Sequence, residues 1–165
     1  MLDHAAILAL IPHQGAMCLL DRVGAWSAQA ILCHATSHLD PANPLRRRGQ
    51  LGTICGLEYA LQAAALHGAL RGDAPQPPGR LVALRDISIY RPRLDDPAIG
   101  TLAVEARMEH GNAAGLIYWF RLLTEAGESV AEGRSTIALP RDLEPGIMRT
   151  GVLEANATHA ARHET

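Results

Sequence analysis

Two side chains in the stretch SHLDPANPLRRRGQLGTICGLEYALQAAALHGAL, residues 37–70, are of the types acid–base chemistry needs. One is His38, in a loop. The other is Glu58, a carboxyl inside an otherwise apolar helical run. Glu58 has no basic residue three or four positions away, its neighbours there being Ile54, Cys55, Leu61 and Gln62. A carboxyl left unpaired on such a face is desolvated, which favours the neutral acid and lets it hold a proton for delivery near neutral pH. The competing reading is a carboxylate that escapes to a solvent gap or meets an arginine from another strand. His38 precedes Asp40-Pro41-Ala42-Asn43-Pro44, whose two prolines stiffen the loop and fix where the histidine points.

Other residues of the same types read more simply. Of the eight histidines, His4, His159 and His163 are of the solvated kind, and His13, between Pro12 and Gly15, suits a turn held by hydrogen bonding better than catalysis. Cys33, His34, His38 and Asp40 lie close in sequence, but their spacing matches no standard zinc pattern, so no metal and no cofactor is expected. Cys55, near a helix start, could be an activated thiol, but its apolar run favours packing. Cys18, Cys33 and Cys55 are odd in number and sit in apolar runs, the pattern of reduced core thiols in a cytoplasmic protein.

The elements that must position these groups follow from periodicity. A short helix over 3–10 ends before Pro12, MCLLDRVGAW reads as a strand and turn, and AQAILCHAT reads as a second strand. After the 37–50 loop, a helix runs from about Leu51 to Leu70, stopped by RGDAPQPPG. On a helical wheel Glu58 shares a face with Leu51, Ile54, Leu61, Gln62 and Ala65, while Gly52, Gly56, Ala60, Ala63 and His67 form a small-residue stripe opposite. That distribution predicts a helix enclosed on most sides, its glycines allowing close backbone approach. Three or four further strands follow in LVALRDISIY, IGTLAVEARMEH, AGLIYWFRLLTEAG and ESVAEGRSTIAL, joined by turn-forming residues that suit antiparallel hairpins. The fold class is α+β, a meandering antiparallel sheet with one long helix against it. One domain is expected over 1–140, with a loosely attached polar tail over 141–165.

Composition excludes several classes. Hydrophobic residues make up 48% and charged residues 19%, which argues against disorder, and a net charge of −2 argues against a nucleic-acid binder driven by overall charge. Glu58, Gln62 and His67 interrupt the best candidate for a membrane span, and acidic Asp3 with no basic n-region argues against a signal peptide.

Several motifs in order resemble the 3-hydroxyacyl-(acyl carrier protein) dehydratases. LIPHQGAMCLLDRV at 10–23 is similar to that family's opening, SHLDPANP to the loop carrying its catalytic histidine, and the Glu58-x-x-x-Gln62 pair to its helix. RPRLDDPAIGTLAVEARM is similar to its strand pair after the helix, so the resemblance covers roughly residues 5–139. It implies a hotdog fold, a curled antiparallel sheet wrapped around one long helix, working as a dimer in which histidine and acid come from different subunits. It further implies His38 as the base that takes the α-proton, Glu58 as the acid that protonates the departing β-hydroxyl, and Gln62 at the substrate. A backbone N–H near Gly52 or Thr53 would then polarise the thioester carbonyl. The chain departs from the family in the twenty-position separation of His38 from Glu58 and in lacking Pro-Gly before the helix. This longer form most resembles a divergent branch from aryl polyene and related polyketide pathways, where some hotdog proteins work beside a second dehydratase subunit.

On this resemblance the expected activity is dehydration of 3-hydroxyacyl thioesters to trans-2-enoyl thioesters on an acyl carrier protein. Arg46, Arg47 and Arg48 would meet the acidic surface or the phosphopantetheine phosphate of that carrier, unless they form a solvated basic loop. The expected assembly is a homodimer or a heterodimer with a second dehydratase-like chain. A non-catalytic subunit of a heteromeric dehydratase and a hotdog acyl thioesterase are the alternatives.

Overall fold

The computed structural model describes residues 2–72 and 79–140. Its helices are α1 (His4–Leu10) and α2 (Gly56–Arg71). The strands are β1 (Arg22–Trp26), β2 (Ala30–Ala35), β3 (Arg80–Ile89), β4 (Leu102–Asn112), β5 (Gly115–Leu123) and β6 (Ser129–Ala138). All six strands form one antiparallel sheet in the order β1-β2-β4-β5-β6-β3.

Alternation sets the faces. In β2 every second residue is buried, and Ile31, Cys33 and Ala35 line up across the sheet with Ala106, Val104 and Leu102 of β4. On β5 the inward row is Tyr118, Phe120 and Leu122. These residues, with Tyr59, Ala60, Ala63 and Leu66 of α2, make the core. The sheet curls around α2, which lies against β2, β4 and β5. This is the hotdog arrangement that the resemblance implies.

The meander is broken at one place. β3 pairs with β6 at the far edge, so the segment from β3 to β4 is a crossover and not the hairpin that Asp95-Asp96-Pro97 suggests. The hairpins are β1–β2, β4–β5 and β5–β6. Residues 18–20 also leave the sheet, since the Leu19 N–H goes to Gln62 and its carbonyl accepts from Ser37, while the Asp21 N–H already bonds the His34 carbonyl of β2. The expected tail at 141–165 lies outside the described residues.

The helix is less enclosed on one side than its composition implies. Its buried positions include Gly56, Leu57, Tyr59, Ala60, Gln62, Ala63, Ala64, Leu66 and His67. The stripe through Ile54, Glu58, Leu61 and Ala65 is partly or fully open, Ile54 being 58% exposed. β3 leaves a second open surface. Leu81, Leu84 and Ile89 pair across to the inward row of β6 yet stay exposed, because α2 does not extend over that end of the sheet.

The glycines divide by role. A Cβ on Gly56 would sit 2.8 Å from Leu122 Cδ2, whereas one on Gly68 would meet nothing within 4 Å. Gly56→Ala therefore overpacks the helix–sheet contact and destabilises by about 1–3 kcal/mol. Gly68→Ala stabilises by about 1 kcal/mol through helix propensity. Chemical denaturation of both variants should give opposite signs.

Candidate active site

Glu58 stands in the first turn of α2, where the helix dipole favours negative charge. It is not unpaired. Its Oε1 accepts from Gln62 Nε2 at 3.1 Å, one helical turn on, and lies 3.1 Å from Nε2 of His13. Both Glu58 and His13 side chains are 29% exposed. Among the described residues Glu58 Oε2 has no hydrogen-bond partner, and neither it nor His13 Nε2 is among the buried unpartnered polar atoms, as His13 Nδ1 is. The apolar enclosure expected around Glu58 is absent because its stripe of α2 faces outward.

Gln62 makes this geometry possible. It is fully buried, its Oε1 accepts from the Leu19 N–H at 2.9 Å, and its Nε2 donates to the Met17 carbonyl at 2.7 Å as well as to Glu58. The amide thus ties the 13–20 segment to the central helix, which puts His13 beside Glu58. Gln62 is enclosed by its own chain, its amide bonded to Leu19, Met17 and Glu58. Gln14 secures the other side of the turn by donating to the Leu8 and Ile11 carbonyls.

His38 is placed differently. It is fully buried in its own chain and makes no hydrogen bond or ion pair with Glu58. The ring lies against the Gly100 backbone, and neither Nδ1 nor Nε2 completes a hydrogen bond. Burial pushes its pKa below the ordinary histidine value. In the single chain the His38 side chain is enclosed by its own fold and has no contact with Glu58 among the described residues. His67 is the satisfied counterpart, buried on α2 between the Tyr118 hydroxyl at 2.7 Å and the Ser27 carbonyl at 2.9 Å.

The 37–50 loop is internally bonded. Asn43 Nδ2 donates to the Tyr59 hydroxyl and to the Ser37 carbonyl, both at 2.9 Å, and the Ser37 hydroxyl donates to the Leu19 carbonyl at 2.7 Å. The Asn-Pro motif therefore anchors the loop to the helix, and burial pushes the Tyr59 phenol up to about 12. Arg46 is 14% exposed and spends its donors on Asp95 at 2.7 Å and on the carbonyls of His38, Leu39, Asp40 and Gly49. Asp95, held by Arg93, the Leu51 N–H and Arg46, has its pKa far below the carboxylate range. Within the chain Arg46 thus clamps the loop to Asp95. Arg47 and Arg48 are exposed, on a tight turn in which Arg48 (φ 51°) and Gly49 (φ 75°) are both left-handed.

At the helix entrance the Thr53 N–H is taken by the Pro92 carbonyl at 3.2 Å, so it is not free to polarise a thioester. Gly52 sits at the non-bonded position of the bridge to Arg93, and its N–H is unclaimed among the described residues. Cys55 has its pKa raised by burial, which does not suit a nucleophile. Cys33 and His34 point to opposite faces of β2, so they do not converge on an ion. A cleft lined by Arg91, Pro92, Arg93, Asp95, Asp96 and Pro97 and a groove beside Trp26 and Trp119 both lie apart from Glu58.

A curled antiparallel sheet around one central helix is the hotdog fold, here with a glutamate in the first turn of the helix. The chain belongs to the ApeP-like family, described as ApeP dehydratase, which matches residues 5–147. Among solved structures it is similar to the dehydratase heterocomplex ApeI:P from Xenorhabdus doucetiae, with 18% identity over 86% of this chain and 93% of that one and a TM-score of 0.71. It is also similar to AziG of S. sahachiroi, at 17% identity, 80% and 98% coverage and a TM-score of 0.60. Zebra fish thioesterase superfamily member 2 matches at 14% identity, 85% and 100% coverage and a TM-score of 0.60. No protein of curated function matches the chain significantly. No described helix is long and apolar enough to cross a membrane.

The buried His38 gives a pH prediction. Its folded-state pKa is lowered, so as pH falls below about 6.5 the unfolded chain takes up a proton that the folded ring refuses. Stability is lost from that point until the folded ring itself titrates. Denaturation at pH 7.5 and 5.0 should show a smaller loss in His38→Leu than in the unsubstituted chain; equal losses would mean that His38 is not held neutral.

Proposed function

We propose that the chain is a subunit of a dehydratase that converts 3-hydroxyacyl thioesters on an acyl carrier protein to trans-2-enoyl thioesters, with Glu58 handling the proton. The observation that carries this reading is the Glu58 carboxyl itself. In an ApeP-like chain it stands on the open stripe of the central helix, one oxygen fixed and one open. Dehydration needs a group that moves a proton at C2 and at the C3 hydroxyl, because hydroxide is a poor leaving group. The unclaimed Gly52 N–H, at the helix entrance, suits the thioester carbonyl. Exposed Arg47 and Arg48 suit the acidic surface or phosphopantetheine phosphate of the carrier. The pathway class is fatty acid or aryl polyene and related polyketide synthesis, in the cytoplasm.

The second chain of the dimer covers the stripe through Ile54 and Leu61 and the bare inner side of β3, where Leu81, Leu84 and Ile89 are exposed. Neither the cleft by Arg93 nor the groove by Trp119 is lined by Glu58, which favours an acyl site enclosed with the partner in place. The ApeI:P match, a heterocomplex, favours a different dehydratase-like chain as partner over a second copy.

The test is turnover of a 3-hydroxyacyl-carrier thioester by the chain alone and with a co-expressed dehydratase-like partner. Enoyl product is expected, with loss of roughly 100-fold or more in Glu58→Gln. Release of free thiol would make the chain a thioesterase, and product with the partner that is insensitive to Glu58→Gln would make it a non-catalytic subunit. Separately, Leu84→Glu places a charge on the open inner face of β3 and should shift the assembly to monomer in sedimentation, with the fold intact.

A further inference from the structure

The outer face of the sheet carries a groove that no residue of α2 lines. On β2, β4 and β5 the residues between the buried ones point outward. Ala30 and Leu32 therefore stand beside Arg107 and Glu105, and these beside Trp119 and Arg121. Ala25 and Ala30 are short and Trp119 is long, and the difference in height leaves an open trough of about 530 Å³ that Trp26, at the end of β1, also lines. Trp26 is 50% exposed. The chain has two tryptophans, and both belong to this one groove.

The charge of the groove is unbalanced. Of the three arginines on β4, β5 and β6, Arg121 pairs with Glu105 at 2.9 Å, and Arg134 pairs with Glu109 and Asp86 at 2.8 and 2.9 Å. Arg107 is exposed and makes no hydrogen bond or ion pair among the described residues. Its guanidinium carbon lies 5.7 Å from the centroid of the Trp119 ring, and that of Arg121 lies 5.4 Å from it. The aromatic contact holds the Arg107 guanidinium in place and leaves its N–H edge, which fits a carboxylate, unused. Tryptophan beside an ordered arginine is the composition of protein-interface hot spots. We propose that this groove is the docking site for an acidic segment of another protein, which seats an apolar or aromatic side chain against Trp26 and Trp119 and a carboxylate on Arg107. A small anion would use Arg107 and leave most of the groove empty. A second copy placed face to face would add another unpaired guanidinium and no free carboxylate, because Glu105 is already taken by Arg121. The groove lies opposite the concave side, so docking here is independent of the reaction at Glu58.

Because both tryptophans line the groove, the intrinsic fluorescence of the full chain reads its occupancy directly. The probe is the synthetic peptide acetyl-EDFEDLE-amide, titrated at low salt. A saturable change is expected, and Arg107→Glu should weaken it about tenfold or more, as should exchange of the peptide's acids for amides in acetyl-QNFQNLQ-amide. Trp119→Leu, read from Trp26 alone, should weaken binding by a similar factor, and added salt should weaken it further. Both substitutions lie on the solvent side of the sheet and should leave thermal unfolding unchanged; Arg107→Gln is the milder variant should Arg107→Glu unfold. No saturable change at millimolar peptide would overturn the proposal, and so would equal affinity in a folded Arg107→Glu or Arg107→Gln variant. Benzoate carries a ring and a carboxylate, and binding of benzoate as tight as that of the peptide would make this a small-ligand site instead. Self-association in sedimentation that Trp119→Leu abolishes would make the occupant a second copy. Either result overturns the proposal.

Discussion

The site depends on a buried amide. Gln62 sits at the middle of the central helix with no solvent contact, and its hydrogen bonds go to the Leu19 N–H, the Met17 carbonyl and Glu58. An amide buried there without partners would cost about 1–3 kcal/mol per unmade bond, so the 17–19 backbone and the helix hold each other in a fixed relation. That relation carries His13 to Glu58, 45 positions apart in the chain. It also keeps residues 18–20 out of the sheet, because Leu19 gives its N–H to Gln62 and its carbonyl to Ser37.

The 37–50 loop has the opposite character to that suggested by its three arginines. Asn43 bonds the Tyr59 hydroxyl on the helix, and Arg46 fills carbonyls along the loop while reaching Asp95 before β4. A partly buried guanidinium is stable only when its donors are used, and here they bind one loop to another. The stretch between histidine and acid is thus a braced piece of the fold. Only the tip, at Arg47 and Arg48, is left to solvent.

Much of the fold was legible because it rests on local signals. The alternation in β2, β5 and β6 and the long run closed by Gly72 gave the strands and the helix their places, and the resemblance supplied the closure of the sheet. The β3–β6 pairing was not legible, since Asp95-Asp96-Pro97 has the chemistry of a hairpin turn and only the crossover over the sheet shows that it is not one. Glu58 and Gln62 were legible as residues that matter, but their surroundings were misread for a physical reason. Ile54 and Leu61 are apolar, and apolar residues on a helix read as core, yet here they line its open stripe. His13 was visible only as a turn residue. Its meeting with Glu58 depends on Gln62 reaching the 17–19 backbone, and no periodicity encodes that contact.

The two open surfaces bear on one another. A helix stripe with Ile54 at 58% exposure and a strand with Leu81 at 47% are costly to leave in water, at roughly 25 cal/mol per Å² of apolar surface. Both border the concave side of the same sheet, and Glu58 lies on the first of them. On the proposed reading, the partner that removes this apolar surface from water also removes water from Glu58 Oε2. Association and completion of the site are then one event, since a carboxylate moving a proton at carbon works better where water does not compete for it. The hydrophobicity of the stripe and the accessibility of the carboxylate, which look contradictory in one chain, are consistent as halves of an interface.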